Sequence, residues 1–250
     1  MIKLTALEKV YTSTHRIGPL NLTIPTAGIT SLIGPNGAGK STMLLMIGRL
    51  LQADGGQIHV ANLDVASSPS SELAKVLAIL RQDNHIVSRL TVRQLVGFGR
   101  FPYSKGRLNR QDEKLISQYL DFFNLTDLQH AFLDELSGGQ RQRAYIAMIM
   151  CQETDYVLLD EPLNNLDIAH SVQMMQHLRQ AADDLGRTIV LVLHDLNFAA
   201  RYSDQICAMK NGQICHFGSP AEIIQADTLS ALYDTPVNVF ESPHGPSILY

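Results

Sequence analysis

Length, composition and charge limit what this chain can be. It has 250 residues, of which 45% are hydrophobic, and this is enough for a sizeable core in one compound domain. The formal net charge of −4 gives no basic surplus of the kind that nucleic-acid binders use, so no nucleic acid is predicted as a partner. No run approaches the roughly 18 apolar residues needed to span a bilayer, and the first residues do not resemble a secretory signal.

The cysteines and two histidines of the later half lack the spacing of metal ligands. Cys151, Cys207 and Cys215 have apolar neighbours, so they are predicted to be buried, reduced thiols and not a disulfide framework. His170 and His177 are predicted to face solvent on one helix. The sequence therefore predicts no structural zinc.

The predicted elements begin with antiparallel strands, in about the first 25 residues and again at 57–60. Later apolar runs lack the alternation of half-exposed strands, and they cover 29–33, 76–80, 156–159 and 189–193. This pattern is typical of strands buried on both faces of a parallel sheet, whose carboxyl ends converge on a ligand. The sequence therefore predicts an α/β fold with a mainly parallel core sheet and an antiparallel β part.

A helical insertion is predicted at 84–155. Thr91 and Asn109 are expected to be N-caps of two of its helices, with a loop at 99–106 between them. Together with this insertion, two core segments make up a single domain, and they cover 1–83 and 156–250.

Two local signals lie near the C-terminal end. Asn211-Gly212, between two apolar runs, predicts a β-hairpin turn. Ser219-Pro220-Ala221-Glu222 predicts a helix start, because a capping box coincides with proline at the first helical position.

The strongest functional motif lies between the strand predicted at 29–33 and a helical pattern at 43–47. It comprises Gly34, Pro35, Asn36, Gly37, Ala38, Gly39, Lys40, Ser41 and Thr42. In such a phosphate loop the backbone N–H groups approach the phosphates of ATP, the lysine reaches the β and γ oxygens, and the serine ligates Mg²⁺. The alternative is a glycine turn without a ligand, but it would leave the Lys40 charge at the unfavourable end of the helix dipole.

Two adjacent carboxylates, Asp160 and Glu161, end the apolar run 156–159. Neighbours on a strand point in different directions, so separate roles are expected. Asp160 is predicted to hold Mg²⁺, directly or through water, and Glu161 to activate the attacking water as general base. A solvated strand end is the alternative.

A second candidate anion site consists of Ser137, Gly138, Gly139 and Gln140, which open a helix. A hydroxyl and glycine N–H groups at a helix start suit a γ-phosphate, whereas a simple capped helix is the alternative. Because the phosphate loop already surrounds one side of the nucleotide, a second copy of the chain is expected to supply Ser137 to the ATP bound by Lys40.

Together these motifs resemble the nucleotide-binding subunit of ATP-binding cassette transporters, over essentially the whole chain. The resemblance implies that Tyr11 stacks on adenine, that Gln82 touches Mg²⁺ and the water, and that His194 contacts the γ-phosphate. It also implies that the loop ending at Asp167 crosses the dimer interface and contributes to nucleotide binding. Asn164-Asn165 in that loop departs from the Ser-Ala or Thr-Asn-His that the family more often has before Leu-Asp, so the resemblance assigns no role to Asn164.

Several segments are similar to ATPase subunits that import iron chelates such as ferric siderophores, and they include 91–93, 99–103, 139–143 and 194–202. The resemblance implies integral membrane permease partners docking near 82–107, an indirect contact with a substrate-binding protein, and a peripheral location at the cytoplasmic face of the plasma membrane. Haem or cobalamin import is an alternative solute class. A soluble scaffold ATPase, as in iron–sulfur cluster assembly, is an alternative from another class.

Overall fold

The computed structural model describes residues 1–12, 14–82, 89–164, 166–242 and 245–249. The predicted boundary at 83–84 and Asn165 lie outside these ranges. The described strands are β1 (Ile2–Val10), β2 (Arg16–Ile24), β3 (Gly28–Ile33), β4 (Gly55–Val60), β5 (Leu63–Asp64), β6 (Leu77–Leu80), β7 (Tyr156–Leu159), β8 (Thr188–Val192), β9 (Gln205–Lys210), β10 (Gln213–Gly218), β11 (Asn238–Ser242) and β12 (Gly245–Leu249). The described α-helices are α1 (Lys40–Ile47), α2 (Ser70–Val76), α3 (Val92–Phe98), α4 (Phe101–Ser104), α5 (Arg110–Phe122), α6 (Gly138–Cys151), α7 (Ile168–Leu185), α8 (Leu196–Tyr202), α9 (Pro220–Ile223) and α10 (Ala226–Tyr233).

The core sheet has the strand order β10-β9-β3-β8-β7-β6. Its strands from β9 to β6 are parallel, and β10 is added antiparallel through the hairpin predicted at Asn211-Gly212. The fully buried strands β7 and β8 confirm the interpretation of the unalternating apolar runs. Parallel order brings the carboxyl ends of β3, β6, β7 and β8 to the same edge, where the predicted site residues follow.

The two faces of the core sheet belong to different hydrophobic clusters. On β7, Val157 and Leu159 pack in one cluster with the helices α5, α6 and α7, whereas Tyr156 and Leu158 pack in the other. The second cluster also contains α1 and the predicted antiparallel sheet, whose order is β2-β1-β4-β5. Strand alternation thus fixes a helical layer on one side and a β layer on the other.

The helices α3 to α6 form the predicted insertion between β6 and β7. Thr91 and Asn109 cap α3 and α5 through capping boxes, as predicted. The prediction of a loop at 99–106 is wrong in part, because residues 101–104 form the short helix α4 with Pro102 in its first turn. Among the described helices, none has the length and apolarity that a membrane crossing requires.

Two predictions about exposure are wrong. His177 on α7 does not face solvent, because its ring packs against Phe122 and Phe123 with centroids 5.5 and 5.1 Å apart, and burial lowers its pKa. Cys215 is exposed, whereas Cys151 and Cys207 are buried as expected. Cys215 lies where β10 shifts register against β9, so strand alternation does not hold there.

Candidate nucleotide site

The phosphate loop connects β3 to α1, the arrangement that the motif requires. Gly34 has φ of 138°, and a Cβ at this position would lie 1.9 Å from the carbonyl oxygen of Met209. Gly39 has φ of 100°, and a Cβ there would lie 2.7 Å from the Ile17 side chain. Both positions therefore need glycine, and the loop is seated against β9 and the antiparallel sheet.

Lys40 lies at the start of α1 and is only 5% exposed. Its Nζ donates to the carbonyl oxygens of Gly34 at 2.7 Å and Pro35 at 3.0 Å. Burial lowers its pKa, although the nearby Glu161 and Asp160 oppose that shift. The ammonium is thus held inside the loop, where a cation suits an anionic ligand.

Ser41 and Asp160 join the loop to the end of β7. The Ser41 Oγ donates to Asp160 Oδ1 at 2.8 Å, and the Asp160 side chain is almost fully buried. Burial raises the pKa of Asp160, while the Ser41 hydrogen bond opposes this shift. Two adjacent hard oxygens beside a phosphate loop are a donor set that suits a divalent cation.

Glu161 is the next residue after Asp160, and its backbone φ of 51° is uncommon for a residue other than glycine. Its Oε2 accepts hydrogen bonds from Gln82 Nε2, at 2.8 Å, and from Asn164 Nδ2. His194 Nε2 lies 2.7 Å from its other oxygen. The carboxylate of Glu161 is therefore oriented from both sides, by residues that follow β6, β7 and β8.

Tyr11 and His15 form one wall of the cavity. Their ring centroids are 5.3 Å apart, and the Tyr11 hydroxyl lies 3.3 Å from Thr42 Oγ1. Together with Asn36–Thr42, Glu161 and His194, these rings line a cavity of about 240 Å³. Sequence reasoning singled out Tyr11 but missed His15, whose place beside Tyr11 comes from the turn between β1 and β2.

The signature segment is built as a helix cap. Ser137 Oγ accepts from the Gln140 N–H at 3.3 Å, and Gln140 Oε1 accepts from the Ser137 N–H at 3.0 Å. Asp167 likewise caps α7, since its Oδ1 accepts from the His170 N–H at 2.8 Å.

The predicted site residues fall into two sets. Tyr11, residues 36–42, Glu161 and His194 line one cavity, and Gly34, Pro35, Gln82 and Asp160 contact members of that set. Residues 137–140 and Asp167 are absent from the described lining of this cavity. One chain thus gathers the phosphate loop and its carboxylates but leaves the signature segment elsewhere.

Asn164 is a site residue whose role sequence reasoning left open. Its side chain contacts the Glu161 carboxylate, as described above. The signal available in the sequence was its position three residues after Glu161, in the turn that follows the buried strand, since such a turn can bring a side chain back to Glu161.

Comparison with known proteins identifies the class. The family model described as ABC transporter matches residues 17–164, and the chain belongs to this family as an ATP-binding ATPase domain. It is 64% identical to the petrobactin import ATP-binding protein FatE of Bacillus anthracis over 250 residues, covering all of both chains. It is 48% identical over 239 residues to the petrobactin import ATP-binding protein YclP of Bacillus subtilis, covering 96% and 95% of the two chains.

A solved structure with a similar fold is the ATP-binding cassette MJ0796, described as a dimeric post-hydrolysis state bound to ADP and Pi. The TM-score is 0.78 at 28% sequence identity, and the alignment covers 88% of this chain and 99% of that chain. The predicted fold class, with its parallel core sheet, antiparallel β part and helical insertion, is confirmed.

Proposed function

We propose that this chain is the ATP-hydrolysing subunit of an importer for an iron chelate, with ferric petrobactin as the first candidate. The full-length match to FatE supports this proposal, and the match to YclP adds a second relative of the same description. The observation that carries the enzymatic part is the orientation of Glu161 by three side chains at the rim of the cavity that contains Lys40.

The site residues fit a Mg²⁺ ion accompanying ATP. No group of three or more His, Cys, Asp or Glu side chains in the described ranges is placed to hold a metal ion. Mg²⁺ needs no such cage, because it keeps several waters and binds one or two protein oxygens plus substrate phosphates. Ser41 Oγ and Asp160 Oδ1 would hold it, with Gln82 nearby, and it would neutralise charge on the β- and γ-phosphates.

The residues of the cavity divide the remaining work. Lys40 and the loop N–H groups bind the phosphates, while Tyr11 offers an aromatic surface for adenine. Glu161, held in one orientation, accepts a proton from the attacking water, and His194 contacts the γ-phosphate from the end of β8. These assignments need the phosphates to lie between Lys40 and Glu161, both of which line the cavity.

A second copy of the chain completes the site in this proposal. Ser137, the N-cap of α6, and Gly138 are exposed, but residues 137–140 are absent from the described lining of their own chain's cavity. In an isologous pair, Ser137 of each copy would close on the ATP bound by Lys40 of the other, and Asp167 would lie at the interface. The dimeric state of MJ0796 supports this arrangement.

Permease subunits are the proposed membrane partners, docking near 82–107. Residues 83–88 of this segment lie outside the described ranges, and the described part includes α3 and α4. Large apolar side chains are exposed there, and they are Phe98, Phe101, Tyr103 and Leu108. Such a cluster suits an apolar partner segment. Binding there would hold the chain at the cytoplasmic face of the plasma membrane, with a substrate-binding protein acting through the permease.

Uptake of radioactive iron tests the function. A strain lacking this chain is complemented with the wild type or with Glu161→Gln, and uptake of ferric petrobactin and of an iron(III) hydroxamate is measured. The wild type should restore petrobactin-dependent uptake, whereas Glu161→Gln should restore less than a tenth of it, although the variant still copurifies with the permease. Normal petrobactin uptake in the uncomplemented strain would refute the proposed solute, and failure of the wild-type chain to copurify with any membrane protein would favour the soluble scaffold.

A further inference from the structure

The geometry points to Tyr233 as a positioning residue for the phosphate loop. Its hydroxyl oxygen accepts a hydrogen bond from the Gly34 N–H at 3.0 Å. Gly34 is the first residue of the loop, and Tyr233 is the last residue of α10, 199 positions later in the chain. This inference rests on the ATP site proposed above and adds a residue that no motif in the chain singles out.

The peptide groups around Gly34 are fixed from three directions. Its N–H donates to Tyr233, its carbonyl oxygen accepts from Lys40 Nζ at 2.7 Å, and its Cα faces the Met209 carbonyl so closely that no Cβ fits. Without the Tyr233 contact, the peptide planes on either side of Gly34 could still rotate. The Tyr233 hydroxyl restrains that rotation at the point where the chain leaves β3 and turns into the loop.

Tyr233 itself is held by its own helix. Leu229 and Leu232 of α10 are buried in the core. Lys210, the last residue of β9, donates from Nζ to the Ala231 carbonyl at 2.6 Å and to Asp234 Oδ1 at 2.7 Å.

The same strand, β9, supplies the Met209 carbonyl that faces Gly34. The end of α10 and the start of the phosphate loop therefore both contact β9. The hydroxyl of Tyr233 has one defined place relative to Gly34.

Loss of this hydroxyl has a specific consequence for ATP. The Gly34 N–H would lack its acceptor and the peptide would turn to find another, so the backbone N–H groups further along the loop would no longer converge on phosphate. ATP binding would then have to restore the original loop conformation. We expect the dissociation constant for ATP to rise about tenfold in Tyr233→Phe, while kcat at saturating ATP changes less than twofold, because Asp160 and Glu161 are not involved.

The test compares two hydroxyl deletions in the transporter complex. Tyr119→Phe is the control, because Tyr119 packs in the same hydrophobic cluster as the partly buried Tyr233 and its hydroxyl also has a hydrogen-bond partner, Arg187, outside the nucleotide cavity. Both variants should lose some thermal stability, but only Tyr233→Phe should weaken ATP binding. A purely structural role for Tyr233 would lower the Tm of both variants and leave the KM for ATP unchanged in both, and this result would overturn the inference.

Inhibition by inorganic tripolyphosphate separates a defect in binding the phosphates from a defect in binding adenine. Its inhibition constant should rise in Tyr233→Phe by about the same factor as the ATP dissociation constant. In Tyr11→Ala, ATP binding should weaken while tripolyphosphate inhibition stays as in the wild type. An unchanged tripolyphosphate constant in Tyr233→Phe would refute the positioning role.

If Tyr233→Phe does not fold, Lys210→Met provides the same test, since it releases the end of α10 without removing the hydroxyl. It should also raise the ATP dissociation constant, and an unchanged constant would contradict the inference. A wild-type complex that binds no ATP in these titrations would instead refute the proposed function, so the two failures are distinguishable.

Discussion

Asn164 offers the sharpest test of how Glu161 is oriented. Its Nδ2 donates to the same carboxylate oxygen that accepts from Gln82 Nε2, while His194 lies against the other oxygen. Asn164→Ala removes one of these contacts and leaves two. Because Asn164 is absent from the described lining of the cavity that contains Lys40, the substitution should slow ATP hydrolysis and leave ATP binding unchanged.

The magnitude follows from the kind of contact and its surroundings. A hydrogen bond to a charged group contributes about 1.5 to 3 kcal/mol. The Glu161 side chain is 13% exposed, so water can replace part of the lost contact and the lower value applies. At about 1.4 kcal/mol per factor of ten, kcat should fall roughly tenfold. Asn164→Asp should cause a larger fall, because it removes the donor and adds a second negative charge beside Glu161.

Steady-state ATPase assays of the transporter complex measure the effect. Asn21→Ala is the control, since Asn21 also makes a side-chain hydrogen bond, to the Ala6 N–H, but in the antiparallel sheet. We predict an about tenfold lower kcat at unchanged KM for Asn164→Ala and wild-type values for the control. A kcat within twofold of wild type, or a change in KM alone, would refute the positioning of Glu161 by Asn164.

Further predictions concern stability and thiol chemistry. Arg100→Met should cost about 3 to 5 kcal/mol and lower the Tm by roughly 10 °C, because it leaves the Asp112 carboxylate, 3.0 Å from Arg100 Nε, buried without its partner. Burial raises the pKa of Asp112, but hydrogen bonds from the Asn109 N–H and Arg100 outweigh it and leave that pKa lowered, so the pair stabilises the fold above about pH 4. This contribution is lost as the pH falls through the lowered pKa, and the Tm values of wild type and variant should converge in acid; a constant difference would contradict the assignment. A thiol reagent at pH 8 should label the exposed Cys215 and not Cys207, because burial raises the pKa of Cys207 to about 12. Equal labelling of the two cysteines in the folded protein would be inconsistent with the structure.

Local signals made much of this fold predictable. The unalternating strands, the caps at Thr91 and Asn109 and the hairpin at Asn211-Gly212 all act within a few residues, and the structure contains each of them. The phosphate loop was predictable for the same reason, because its strand, glycines and helix are consecutive.

The features that sequence reasoning missed depend on distant partners. His177 is covered by Phe122 and Phe123, which lie at the C-terminal end of α5, so the position of His177 on its own helix does not reveal the burial. Tyr233 meets Gly34 only because β9 brings α10 to the loop. Periodicity identifies which elements form, but it does not say which side chains of separate elements meet.

Complementation between two inactive chains tests the central claim that each ATP site is shared. Lys40→Ala removes the cation that is proposed to bind phosphate, and Ser137→Glu places a carboxylate where the γ-phosphate is proposed to bind. A dimer containing one chain of each kind has one site with both defects and one intact site. We predict that a one-to-one mixture regains about a quarter of the wild-type ATPase sites, although either variant alone is inactive. A mixture as inactive as its components, with mixed dimers shown to have formed, would contradict it.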